Sequence, residues 1–252
     1  MCQEVPMKTS LARKSSPAPA SPPSPDETPR TLAEAIYWRL RSDIVWGKLP
    51  PGAPLRSDEL RATYNVGISP LREALSRLAV EQLVTTVGQR GFRVAPISAA
   101  DVADVMETRL IIEREALKRS IKAGDLAWET NLVASFHSLS RIPVPYGPGS
   151  SAEDWAKHHR NFHMALLGAC GSKWQLGLAG LLFDQAERYR VVRAIKVSGS
   201  SKLTRDTTTE HKQILDAALA RNAKAAVKAL ESHYRATTEQ VLVSLQESST
   251  TA

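Results

Sequence analysis

Cysteine is nearly absent: Cys2 and Cys170 are the only two in 252 residues. That excludes a disulfide scaffold and fits a reducing compartment. Long apolar runs are missing as well, none approaching the roughly 18 residues that a membrane-spanning helix needs. The first residues, MCQEVPMKTSLARK, contain no apolar signal core. The expected location is therefore the cytoplasm, with no membrane partner. Acidic residues are the minority charge, 26 Asp and Glu against 33 Lys and Arg, which leaves a formal +7 and suits an anionic partner. Apolar residues are not scarce at 42%, so one large or two small cores are within reach.

Seven of the fifteen prolines lie in residues 1–29, mixed with Ser and Ala. Such a segment buries too little surface to offset its ordering entropy and reads as a disordered tail. Residues 30–97 carry 10 Lys and Arg against 6 Asp and Glu, whereas residues 98–252 carry 20 against 17. Basic density is thus concentrated in the first folded third. There Leu32, Ile36, Leu40 and Ile44 form an apolar stripe on a helix over Thr31–Val45. Gly47 and Pro50-Pro51 end it and force an extended connection. A short helix is expected over Ser57–Tyr64, capped by Ser57. Asn65-Val66-Gly67 reads as a turn, and Ser69-Pro70 opens a third helix with Leu71, Ala74, Leu75 and Leu78 inward. Leu83–Val87 and Phe92–Val94 flank Gly88-Gln89-Arg90-Gly91 as a β-hairpin. After Pro96 the pattern is wholly helical, with segments near 98–123, 125–140, 152–170, 173–197, 201–221 and 223–246. The fold class expected is mainly α: a winged helix-turn-helix over 30–97, then an all-α bundle of six or seven helices over 98–246, with a tail at 247–252.

Two short helices with a tight turn and a following hairpin place the second helix in a DNA major groove and the hairpin on a neighbouring groove or phosphate. With the apolar stripe inward, Ser69, Arg72 and Ser76 share the outer face of the third helix. Arginine there can form a forked pair with guanine. Gln89, Arg90 and Arg93 place donors and charge at the wing, and Arg56 precedes the second helix, all suited to phosphate. Arg77 follows Glu73 by four residues and is read as a surface ion pair. Leu166, Leu178 and Leu182 are assigned to the helical core.

Histidines form the other pattern. His159 and His163 stand four apart on a helical segment and share a face. His211 and His233 are each eleven residues from Asn222. If Asn222 turns an antiparallel pair, both rings lie at one level, roughly 16 Å from the turn. Converging neutral imidazoles suit Zn²⁺, Ni²⁺ or a similar divalent ion. Carboxylates that would orient the rings are expected, although spacing does not identify them.

The stretch WRLRSDIVWGKLPPGAPLRSDELRATYNVGISPLREALSRLAVEQLVTTVGQRGFRVAPIS resembles the N-terminal domain of GntR-type bacterial regulators. Where that family commonly has arginine two residues before the proline, this chain has Ile68, and Asp58 stands at a frequently basic position. The resemblance therefore moves base recognition toward Arg72 and the wing. ETRLIIEREALKRSI, HHRNFHMALLGACGSKW and EHKQILDAALARNAKAAVKALESHY are similar to the FCD ligand-binding domain of the FadR-type branch. GACGSKW followed by LFDQAERYR is most similar to the branch that includes glutarate-utilisation repressors. The resemblance implies a metal held by one carboxylate and three histidines, helping to bind a small organic acid. His163, His211 and His233 match the histidines, and His159 stands where many members have Asp. Arg109 matches a position that contacts the effector carboxylate. Arg188, Arg190 and Arg193 cannot all face one pocket, and Arg190 is either a pocket residue or a surface ion pair.

Three functions compete. A metalloenzyme finds support only in His159-Arg-Asn-Phe-His163, which has Arg160 where a zinc hydrolase helix has its glutamate base. A nonspecific architectural DNA binder accounts for the charge but not for the histidines. The reading that absorbs both is a homodimeric transcription regulator and not an enzyme, more a repressor than an activator. Its expected partners are an inverted-repeat operator and a small organic acid.

Overall fold

A computed structural model describes residues 31–88, 91–144, 152–197 and 205–249. The proline-rich tail, Gln89 and Arg90 lie outside the described residues.

The first helix, α1, covers Leu32–Val45, and the Thr31 hydroxyl accepts the Glu34 amide at 3.1 Å. Its buried face is Ile36, Tyr37, Leu40 and Ile44, while Leu32, expected on that stripe, is 57% exposed. In the first turn it is Ala33 that is buried, and Leu32 points away from the core. After α1 the chain forms a two-residue strand, β1 (Pro54–Leu55). Helix α2 is Ser57–Tyr64, with Arg56 at the N-cap position, so Ser57 begins the helix instead of capping it. Asn65 closes α2 in the left-handed region at φ 50°. Helix α3, Ile68–Val80, starts one residue before Ser69 because Gly67 takes the extended N-cap conformation. Leu71, Leu75 and Leu78 of α3 pack on Leu40 of α1, all fully buried. Strands β2 (Val84–Thr86) and β3 (Phe92–Val94) pair antiparallel, Val84 opposite Val94 and Thr86 opposite Phe92.

The expected hairpin is therefore present, but the sheet has three strands in the order β1-β3-β2, with Leu55 opposite Phe92. Two residues beginning with proline are too short for alternation to announce them, and proline is tolerated at a sheet edge.

The remainder is helical: α4 (Ala99–Ala123), α5 (Leu126–Ser140), α6 (Ala152–Leu167), α7 (Lys173–Val197), α8 (Thr207–Leu219) and α9 (Ala223–Ser249). Side chains of Ser98, Asp125, Asp206 and Asn222 each accept an amide three residues on, which fixes where α4, α5, α8 and α9 begin. Three bounds differ from the sequence reading. Helix α6 stops at Leu167, α8 starts at Thr207 after its Asp206 cap, and α9 runs to Ser249 past the expected 246. Helix α4 packs along α9 and α7, α8 along α9, and α5 along α6. Leu117, Leu132, Phe162, Leu166, Ile214 and Leu230 fill the centre. Leu178 does not belong to it. It is 45% exposed near the outer end of α7, as is Trp174 at 62%. Gly124 is required at the α4–α5 corner, since a Cβ there would sit 2.2 Å from the Trp128 ring.

Candidate metal centre and DNA-reading surface

Helix α6 carries His159 and His163, one turn apart, into the bundle interior, where α8 supplies His211 and α9 supplies His233. The matched spacing around Asn222 does bring the last two together, their ring centroids 4.5 Å apart. Nε2 of His163 lies 3.0 Å from Nε2 of His159 and 3.3 Å from Nε2 of His211. One ligand atom from each of the four falls within 4.8 Å of every other, and all four side chains are buried.

The outward nitrogens show which way the lone pairs point. Nδ1 of His233 is 2.8 Å from a Glu210 carboxylate oxygen, and Nδ1 of His163 is 3.1 Å from the Tyr234 hydroxyl. That hydroxyl donates to Glu113 at 2.6 Å and accepts from Arg109 at 2.7 Å, so toward His163 it acts as acceptor. A proton on Nδ1 leaves Nε2 of His163 a bare lone pair facing the centre. Burial holds the imidazoles neutral, pushing His159 down to about 4 and His163 and His211 well below the usual range. Four neutral, converging imidazoles, two of them oriented by hydrogen bonds, are the donor set of a borderline divalent ion, and the residues fit one. Glu187 lies 3.8 Å from Nδ1 of His159. Burial opposes its ionisation, but Arg190 and His159 outweigh that and hold its carboxyl at about 2.

A cavity of about 270 Å³ opens beside the histidines. Arg109 and Arg190 both line it, so Arg190 is a pocket residue. Arg188 points elsewhere, its guanidinium donating to the Ala95 carbonyl at 2.6 Å. The Arg193 side chain lies outside the description. Glu187, Arg205, Glu210 and Tyr234 were not singled out by the sequence. The only available signal was the run GluXXArg (Glu187, Arg190), a helical i,i+3 pair that reads equally well as a surface bridge.

Helix α7 has two working faces. Phe183, Glu187 and Arg190 line the cavity. On the other side Asp184 pairs with Arg41 of α1 and with Arg160 of α6, and Gln185 donates to the Glu81 carbonyl at 2.6 Å. One rigid helix thus touches both the cavity and the helix-turn-helix.

Ser69, Arg72 and Ser76 are exposed together on the outer face of α3. Arg56 is exposed and bonds Glu59 at 2.9 Å, and Arg93 is exposed with its guanidinium on the Gly52 carbonyl. Arg77 does not pair with Glu73. It lies over the Tyr37 ring at 4.1 Å, a partly buried stacking contact that fixes α3 to α1.

Residues 32–94 match the family described as bacterial regulatory proteins, gntR family, and residues 104–236 match the FCD domain. The uncharacterised HTH-type transcriptional regulator BphR of Paraburkholderia xenovorans is 38% identical over 84% of this chain and 85% of that one. The HTH-type transcriptional repressor GlaR of Escherichia coli is 34% identical over 81% and 92%. Among solved structures, E. coli McbR/YncC superposes with a TM-score of 0.70 at 16% identity, covering 86% of this chain and 98% of that one, a likeness of fold alone. The chain belongs to the GntR family and is a DNA-binding transcriptional regulator with a helix-turn-helix followed by an FCD domain.

Proposed function

We propose that the protein is a homodimeric repressor whose affinity for an inverted-repeat operator changes when a small organic acid enters the cavity of its helical region. In this reading residues 30–97 bind DNA, and residues 98–246 bind the effector and dimerise. Residues 1–29 and 250–252 act as tails. His159, His163, His211 and His233 would hold a divalent ion of the Zn²⁺ or Ni²⁺ type. When bound, that ion supplies a fixed positive centre for the oxygens of the acid. Glu210 and Tyr234 orient two of the rings, Arg109 and Arg190 shape the walls, and the aromatic lining keeps water sparse. The observation that carries the reading is the sharing of α7: Glu187 and Arg190 face the cavity while Asp184 and Gln185 grip α1 and the end of α3. A ligand that fits only one setting of α7 therefore biases the position of the DNA-reading helices.

At the operator, Arg72, Ser69 and Ser76 would meet base edges, and Arg56 and Arg93 phosphates, with Gln89 and Arg90 extending the wing. Repression follows the named relatives, GlaR among them. Selecting duplexes from a random pool with the purified protein tests this. Enriched sequences should contain two inverted half-sites one helical turn or a multiple apart. Arg72→Ala should fold normally and lose about 1–3 kcal/mol of affinity for the selected duplex. A pool that shows no enrichment, or an Arg72→Ala protein with unchanged affinity, would overturn sequence reading by α3.

A further inference from the structure

We infer that the cavity beside the four histidines takes an organic acid with a single carboxylate head and an uncharged, apolar or aromatic body, and that it discriminates against a second carboxylate. This rests on the reading above that the cavity is the effector site, and it names the chemical class that site accepts.

The charge pattern of the walls carries the argument. Three guanidiniums line the cavity among the described residues, those of Arg109, Arg190 and Arg205. Each is already matched by a carboxylate of the same chain. Arg109 donates from Nε to Glu113 at 2.8 Å, Arg190 donates from Nε to both oxygens of Glu187 at 3.0 Å, and Arg205 donates from Nε to Glu210 at 2.6 Å. Arg205 also donates to the Thr237 hydroxyl and the His233 carbonyl. An incoming carboxylate would meet these cations already neutralised, and would gain a full ion pair only by displacing a resident carboxylate. Glu113 is 2% exposed and Glu187 is 5% exposed. Either would be stranded as an unpaired buried charge, so the exchange gains nothing.

What the walls do offer is apolar. Val102, Met106, Phe183 and Val241 line one side, and Trp155 stacks on His159 with ring centroids 4.3 Å apart. The guanidiniums of Arg190 and Arg109 lie over the rings of Trp155 and Tyr234, at 4.4 and 4.1 Å, so even the arginines are engaged by aromatic rings. The positive charge left for a ligand would be that of an ion at the histidines. A divalent ion there would be held by four neutral imidazoles, so its ligands would cancel none of its charge. One carboxylate head would meet it there. A second, at the far end of the molecule, would face a mostly apolar wall that offers, among the described residues, no cation without a resident carboxylate.

Calorimetric titration of the full-length, Zn²⁺-loaded protein with matched pairs tests the assignment. The pairs are hexanoate against adipate and phenylacetate against 1,4-phenylenediacetate. The monoacid of each pair is expected to bind at least about tenfold more tightly. Glu187→Gln releases Arg190, and the preference for hexanoate over adipate should then narrow about tenfold or invert. Glu210→Gln, at a partly exposed site, makes the same test through Arg205 if the first variant does not fold. Adipate binding as tightly as hexanoate, or tighter, overturns the single-carboxylate class while leaving the effector site in place. Absence of heat with all four acids overturns the effector reading along with it.

Discussion

The Tyr234 hydroxyl lies 3.1 Å from Nδ1 of His163 and donates its proton to Glu113, which dictates where the histidine carries its own. Tyr234→Phe keeps the ring and removes that acceptor. Arg109, Glu113 and His163 each lose a partner in a buried setting, which should cost about 1–3 kcal/mol of stability. Zn²⁺ affinity, measured by competition with a chromophoric chelator, should fall about 10–100-fold, as when other ring-orienting partners are removed. Unchanged affinity would mean that packing alone holds the ring.

The seam between α7 and the helix-turn-helix makes a second prediction. Burial alone would lower the Arg41 pKa, yet Asp184, Tyr37 and Glu81 reverse that shift and hold the guanidinium charged. Arg41 and Asp184 are both largely shielded, with side chains 17% and 9% exposed. A double-mutant cycle of Arg41→Ala and Asp184→Asn in urea unfolding should return a coupling of about 1 kcal/mol or more. Hydrogen exchange in α1 should rise in either single variant. Coupling near zero would show that α7 merely lies beside α1.

These residues also show what a linear reading reaches. Periodicity located α3 and its outward Arg72, because an amphipathic helix declares its faces within its own sequence. The histidine set was legible for a similar reason: one helical turn joins His159 to His163, and equal offsets from Asn222 join His211 to His233. Tyr234 and Glu113 were not legible. They meet across 121 residues, and nothing local marks a tyrosine as a hydrogen-bond hub. Strand β1 was hidden by its brevity and exists through its pairing with β3. Leu178 reads as core by type, yet it lies on the outer face of α7 while its neighbour Ala179 is fully buried. What failed to appear in the sequence is consistently what long-range packing creates.

Dimerisation is expected on the α4–α9 face. A groove there is lined by Leu110, Ile111, Leu242 and Val243, and Ile111 is 71% exposed. Glu107, Arg114, Arg235 and Glu239 give the same groove both signs of charge, as a self-complementary twofold contact requires. Ile111→Arg should sediment as a monomer and bind a two-half-site duplex about as weakly as a single half-site. A dimer of unchanged stability would place the interface elsewhere.

The buried imidazoles also set a direction for pH. In the unfolded chain a histidine titrates near 6.5, whereas burial pushes His159 down to about 4 and His163 and His211 well below the usual range. As pH falls through 6.5 the unfolded state takes up protons that the native state refuses. Stability of the chelator-treated protein is therefore full above 6.5 and declines toward 4. The slope is at most about 1.4 kcal/mol per pH unit for each histidine. Glu187, held at about 2, acts lower: its contribution persists above its ordinary value near 4.5 and is lost as pH approaches 2. The two windows meet between about pH 4 and 4.5, where the His159 window ends and the Glu187 window opens. Bound Zn²⁺ needs neutral rings, and the folded chain keeps them neutral down to about 4, so the stabilisation it confers should persist from pH 7.5 to 5.0 and fade only below that. Urea midpoints at pH 7.5, 6.0 and 5.0, with and without Zn²⁺, measure both effects. His211→Leu should flatten the metal-free slope by removing one of the protons. A midpoint that holds steady between pH 7.5 and 5.0 would mean the four rings are solvated and free to protonate, which the buried cluster does not allow.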